Sequence, residues 1–143
     1  MILVGLDFGE RRIGVAVSDR RGLGAQPLRV IERRSLVEDV TRVKEVVEAR
    51  KAERIVVGLP LNMNGSIGPA ARRARRFASR LARELGIEVI MQDERLSTVE
   101  AERALLAEDR SRAQRRELRD AVAAAVILQG YLDAQPAGVR PKK

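Results

Sequence analysis

Residues 2–19 read ILVGLDFGERRIGVAVSD. Ile2 to Leu6 are apolar apart from Gly5, Phe8 continues the run, and Asp7 interrupts it with a carboxylate. Gly9, Glu10, Arg11 and Arg12 supply a turn into a second apolar strand, Ile13 to Val17. The stretch therefore predicts a β-hairpin with an acid at the end of its first strand. Burying a lone ionised carboxylate is costly, so Asp7 calls for a metal ion, a cation or backbone donors; the plainer alternative is an acceptor of hydrogen bonds within the turn.

Composition narrows the chemistry around that acid. The 143 residues suit one domain, residues 1–134, followed by a basic tail, residues 135–143, expected to be disordered. A chain of this length buries about two thirds of its unfolded surface around one core and leaves no room for a two-lobed enzyme. No apolar run approaches the ~20 residues needed to span a bilayer, and no signal-like segment opens the chain, so a soluble, cytoplasmic protein without a membrane partner is expected. There is no Cys and no His. Thiolate nucleophiles, His-based triads and His- or Cys-ligated zinc are excluded, and hydrolysis would have to run on carboxylates holding hard cations such as Mg²⁺ or Mn²⁺. The net charge of +8 points to an anionic partner. Phe8, Phe77 and Tyr131 are the only aromatic residues, so binding should rest on phosphate contacts and shape and not on base stacking.

Beyond the hairpin, Gln26 to Glu32 reads as a third antiparallel strand, with Pro27 fit for an edge. Ser35 and Glu38 form a capping box, and Leu36, Val40, Val43 and Val47 follow helical spacing through about Arg50. Arg54 to Leu59 is an almost wholly apolar strand, as a central strand covered on both faces requires. A Gly-, Pro- and Asn-rich loop, Gly58 to Pro69, leads into a helix closed by Gly86, with Ala70, Ala74, Phe77, Leu81 and Leu85 on its inner side. Arg72, Arg73, Arg75, Arg76, Arg80 and Arg83 fill the other side, a phosphate-binding surface that Glu84 alone interrupts. Ile87 to Met91 is the last strand and runs into Gln92, Asp93, Glu94 and Arg95. Ser97 and Glu100 open a short helix to about Ala107, and a connector rich in arginine follows, including Arg110, Arg112, Arg115 and Arg116. The final helix, Ala113 to Ala134, carries Asp120 on the stripe of Ala124, Ile127 and Tyr131.

Three positions thus bring acids to the ends of apolar strands or the inner side of an apolar helix: Asp7, Asp93 or Glu94, and Asp120. Such carboxylates can bridge two divalent ions ~4 Å apart, which together activate a water and stabilise a leaving oxygen at a phosphodiester. Runs of arginine would add sequence-independent affinity for a nucleic-acid backbone.

The segments GLDFGERRIGVAVSD, VVGLPLNMNGS, DERLST and RDAVAAAVILQGYLD, in that order and spanning residues 4–133, resemble the YqgF/RuvX family. That resemblance implies an α/β, RNase H-like fold related to RuvC: a five-stranded mixed sheet of order 3-2-1-4-5 flanked by helices. It places the family's acidic triad on Asp7, Glu94 and Asp120 as catalytic and metal-binding residues, with Asp93 the weaker choice for the second. Arg11 or Arg12, Asn62, Arg95 and Ser97 fall in the flanking motifs as substrate-contacting residues, although a loop-shaping Asn62 and a helix-capping Ser97 are equally good readings. Asn64 stands where the family's loop usually has Asp, which removes one carboxylate from that loop.

The expected activity is divalent-metal-dependent hydrolysis of phosphodiesters in structured nucleic acid. The resemblance implies two substrates, a four-way DNA junction and the 5′ end of precursor 16S ribosomal RNA; the former requires a symmetric homodimer. Two alternatives stand beside it: an actin-like nucleotide-binding protein, since GLDFG also resembles a phosphate loop, and a non-catalytic nucleic-acid-binding protein.

Overall fold

The computed structural model describes residues 1–94 and 112–135, with side chains in the second stretch from Arg119 onward. The expected short helix from Ser97, the arginine connector with Arg110, and the tail beyond Gln135 lie outside the described residues.

The hairpin forms as the apolar runs dictate. β1 (Leu3–Phe8) and β2 (Arg12–Ser18) pair antiparallel, with Asp7 opposite Gly14 and Phe8 opposite Ile13. Gly9 closes the turn by donating its N–H to the Arg12 carbonyl at 2.9 Å. β3 (Ala25–Glu32) pairs antiparallel with β2, and a bulge between Val15 and Ala16 brings Ala16 opposite Pro27. Pro27 has no N–H to give to a ladder, so a bulged edge strand suits it. β4 (Arg54–Leu59) pairs parallel with β1, and β5 (Glu88–Asp93) parallel with β4. The sheet order is β3-β2-β1-β4-β5, the mixed sheet expected above. β5 runs two residues further than its apolar core predicts, because Gln92 and Asp93 continue the ladder opposite Gly58 and Leu59.

Helices cover both faces of the sheet. α1 (Leu36–Arg50) starts at the capping box: Ser35 Oγ accepts the Glu38 N–H at 3.1 Å and donates to the Glu38 carboxylate at 3.1 Å. α2 (Pro69–Leu85) ends at Gly86, whose left-handed backbone, φ 68°, closes the last turn on the Ala82 carbonyl. Val40, Val43, Val46 and Val47 of α1 and Phe77, Ala78 and Leu81 of α2 pack on Val4, Leu6, Ile13, Val15, Ile55 and Val57. The inner stripe of α2 is Ala71, Ala74, Phe77, Ala78 and Leu81; Ala70 is exposed. The stripe follows 3.6-residue periodicity back from Leu81 through 78, 74 and 71, which leaves Ala70 on the flank of the first turn.

Among the described residues α3 (Arg112–Ala134) covers the other face. Ala124, Ala125, Ile127, Leu128, Tyr131 and Leu132 pack on Leu3, Ala16 and Val56. Polar clips fix its far end. Gln129 accepts the Ala25 N–H at 2.9 Å and donates to the Leu23 carbonyl, while Arg54 reaches both the Tyr131 hydroxyl at 3.2 Å and Glu88 at 2.7 Å. Among the described residues no helix is long and apolar enough to cross a membrane.

Glycines set how close α3 comes to the sheet. A Cβ on Gly5 would stand 2.7 Å from Leu128 Cβ, and one on Gly14 would stand 1.8 Å from the Asp120 carbonyl oxygen. The second overlap involves helix backbone, which cannot swing aside as a side chain can. Gly14→Ala should therefore lift the first described turns of α3 off β2 and destabilise the protein by about 3 kcal/mol. Thermal or urea unfolding would measure this; a change under ~0.5 kcal/mol would mean that α3 does not sit against Gly14.

Candidate active site

Three acids far apart in sequence come to the α3 side of the sheet at the carboxyl end of β1. Leu3 packs under α3, and Gly5 lies against Leu128, so by alternation Asp7 shares that face. Asp7 lies near the end of the strand, as the sequence implied, and is half-buried there, not fully buried.

Asp7 stands between two glycines. On one flank it faces Gly14 across the hairpin, and the Asp120 carbonyl lies directly over Gly14. On the other, the register pairs Leu6 with Val57, so the next step along sets Asp7 beside Gly58 of β4. A Cβ on Gly58 would lie 2.8 Å from Glu94 Oε2 and 2.9 Å from Glu94 Cγ. Glu94, the residue after β5, thus lays its side chain back over Gly58 toward β1. Each glycine leaves the volume that one of the other two acidic residues occupies.

Asp93 is placed differently. Val89 and Met91 pack into the core beneath α1 and α2, so alternation turns Asp93 to that face, away from Asp7 and Asp120.

The Asp120 carboxylate is held by Arg12, whose Nε donates to Oδ2 at 2.7 Å; the side chains are 25 % and 38 % exposed. That hydrogen bond, and next the carboxylate's charge, hold the Arg12 guanidinium still further above its ordinary pKa. Among the described residues no group of three or more acids is placed so that it could hold a metal ion as the side chains stand. Asp7, Glu94 and Asp120 all carry carboxylates, the donor type that hard divalent cations take. An arriving cation would have to take Asp120 from Arg12.

The basic residues singled out in the sequence fall into separate groups. Arg11 is exposed at the hairpin turn, next to Arg12. Arg72 leans on the Ile67 carbonyl at 3.4 Å, Arg80 pairs with Glu84 along α2, and Arg76 is exposed. Asn62 is built into its loop: it donates to Ser66 Oγ at 2.9 Å and lies against Gly68. Asn64 accepts from the Ser66 N–H at 3.0 Å and the Ser66 hydroxyl at 2.6 Å, so the residue that departs from the family's usual Asp helps to shape the loop. Arg95, Ser97 and Arg110, and the side chains of Arg112, Arg115 and Arg116, lie outside the described residues.

Sequence reasoning passed over the most buried acid among the described residues. Asp39 on α1 is fully buried, pairs with Arg33 at 3.2 Å and accepts the Arg34 N–H at 3.0 Å. Its sequence signal was an arginine pair just before a capped helix, and its partners mark it as structural.

A family model described as "RuvX: Holliday junction resolvase" matches residues 1–134. The chain belongs to the RuvX family. One RuvX-like relative, from Symbiobacterium thermophilum, is named as a candidate pre-16S rRNA nuclease; it is 56% identical over 137 residues, covering 96% of this chain and 95% of its own. Among solved structures, Thermus thermophilus RuvC matches with a TM-score of 0.59 at 19% identity, over 93% of this chain and 96% of RuvC. The same protein in complex with Holliday junction substrate matches with a TM-score of 0.58 at 22% identity, over 93% and 95%. These two matches establish the RNase H-like fold of this RuvX chain, and family membership places it among nucleases.

If Arg12 competes with a cation for Asp120, Arg12→Gln should tighten Mn²⁺ binding by roughly tenfold, because a like charge facing the ion is removed. Calorimetric titration checks this, and equal or weaker Mn²⁺ binding by the variant would show that Arg12 does not oppose the ion.

Proposed function

We propose that this chain is a divalent-metal-dependent nuclease that hydrolyses phosphodiester bonds in structured nucleic acid, with Asp7, Glu94 and Asp120 as its catalytic acids. The observation that carries the proposal is the gathering of these residues from β1, the end of β5 and α3 over Gly14 and Gly58. Asp7 and Asp120 would hold Mg²⁺ or Mn²⁺, and Glu94 would complete the site. Such ions supply Lewis acidity toward a phosphodiester. Asp7, at the end of a central strand, is the fixed point of the site. Arg12, once released from Asp120, would be free to donate to a phosphate oxygen beside that acid. With no His in the chain, no imidazole takes part, and proton transfer falls to carboxylates and water.

Two substrates are supported. The Symbiobacterium relative's name favours precursor 16S ribosomal RNA. The family description and the junction-bound RuvC favour a four-way DNA junction. Cutting two strands of a junction symmetrically calls for a homodimer with two such sites, whereas trimming a precursor RNA does not. Family membership favours either over an actin-like nucleotide-binding protein or a non-catalytic nucleic-acid-binding protein.

The protein should cut at least one of the two substrates when supplied with Mg²⁺ or Mn²⁺, and Asp7→Asn should lower the rate by roughly three orders of magnitude while the fold is retained. Gel assays of a labelled junction and of precursor ribosomal RNA test this. A parent protein that cuts neither, or an Asp7→Asn variant as active as the parent, overturns the proposal.

A further inference from the structure

A second charged site lies at the same end of β1 but on the opposite face of the sheet. Phe8 follows Asp7 and, by alternation, points to the α1 and α2 side, where it stacks on Phe77 with ring centroids 4.3 Å apart. Above the pair is a pocket of about 220 Å³, lined by Phe8, Arg33, Leu36, Arg73, Arg76 and Phe77. Three arginines border a space of that size, and their charges are not equally spoken for. Arg33 is committed: its Nε pairs with the buried Asp39 at 3.2 Å, and its NH1 donates to the Gly9 and Glu10 carbonyls of the hairpin turn. Arg73 reaches Glu10 at 3.4 Å, but that carboxylate is 80 % exposed and easily drawn away by solvent. Arg76 has no carboxylate partner among the described residues.

The rings do not offer a stacking surface for a base. One face of Phe8 is taken by Phe77, the guanidinium of Arg33 lies 4.1 Å from the Phe8 centroid, and Phe77 is wholly buried. What the pocket presents is guanidinium groups over an apolar floor, which selects a compact anion with several acceptor oxygens.

We propose that this pocket is a phosphate-binding subsite in which Arg73 and Arg76 hold a backbone phosphate of the nucleic acid, on the side of the sheet opposite the three acids. The inference rests on the chain acting on nucleic acid, as proposed above, and adds where a substrate strand runs. The β1–β2 turn, Gly9 to Arg11, separates the two sites, so a strand crossing that turn meets the acids on one side and the pocket on the other. A phosphate entering the pocket replaces Glu10 as the partner of Arg73. Arg33 positions the floor, and its substitution would leave Asp39 buried without its partner at a cost that threatens the fold. The test therefore leaves Arg33 in place.

The full-length variant Arg73→Gln/Arg76→Gln would be compared with Lys44→Gln/Arg50→Gln, an equal loss of charge on the exposed side of α1. Fluorescence anisotropy would follow binding of the four-way DNA junction and of precursor ribosomal RNA across a salt series. The pocket variant should bind the substrate about tenfold more weakly at moderate salt, and the slope of log affinity against log salt should shrink by up to about 0.9 per lost contact. The α1 variant should stay close to the parent, and all three should unfold at similar temperatures. Phenylglyoxal modification read by peptide mass gives a local check, with bound nucleic acid shielding Arg73 and Arg76 but not Arg50. Equal losses in the two double variants, or no loss in the pocket variant, overturn the subsite while leaving the nuclease proposal standing. Equal shielding by inorganic phosphate alone at low millimolar concentration assigns the pocket to a free anion and also overturns it. A parent that binds neither nucleic acid removes the functional proposal itself and this one with it.

Discussion

Close contact between the backbone of α3 and a glycine on β2 is the constraint on which the rest depends. The carbonyl of Asp120 occupies the volume that any side chain at position 14 would fill, and Leu128 stands in the same relation to Gly5. A helix seated on backbone cannot drift outward without losing the apolar layer formed by Ala124, Ile127, Leu128 and Leu132. With α3 pinned there, the backbone of Asp120 lies over Gly14, the cross-strand partner of Asp7. Gly58 plays the matching part on the other flank by leaving room for the Glu94 side chain. Gly14 and Gly58 let the backbone of Asp120 and the side chain of Glu94 approach the strands that flank Asp7.

Two Arg–Asp pairs serve different ends. Arg33 and Asp39 are largely buried, and removal of either would strand a charge in the core, a loss of about 3–5 kcal/mol. Their pair ties the hairpin turn to the start of α1 and fixes the floor beneath Arg73 and Arg76. Arg12 and Asp120 are more exposed, so water weakens their attraction and the pair can exchange partners. Burial therefore separates a pair that builds the structure from one that solvent reaches. Among the described residues the deepest acid is not the candidate catalyst, and Asp7 and Asp120 are left partly open to solvent.

Much of this was legible in the amino-acid order. The hairpin, the Ser35 capping box and the all-apolar β4 follow from periodicity and local chemistry, and the strand order came with the family resemblance. The candidate acids stood out because they break apolar segments. Other features could not be read because they depend on contacts distant in sequence. Arg12 meets Asp120 across 108 positions, and nothing in the turn GERR marks one arginine as the partner of an acid near the chain's other end. Asp39 stands in the first turn of α1, and only the fold brings Arg33 against it. Gly5, Gly14 and Gly58 did leave a signal, since glycine inside a strand marks close approach. Their weight emerges only when the elements that approach them are known.

Anomalous diffraction from crystals of the full chain soaked in Mn²⁺ tests the central claim most directly. The expected result is manganese density bounded by Asp7, Glu94 and Asp120 on the α3 face, with Arg12 withdrawn from the Asp120 carboxylate. Manganese bound only elsewhere, for instance at Asp93 on the opposite face, with the Arg12–Asp120 pair intact, would contradict the assignment of these acids as the metal-holding site.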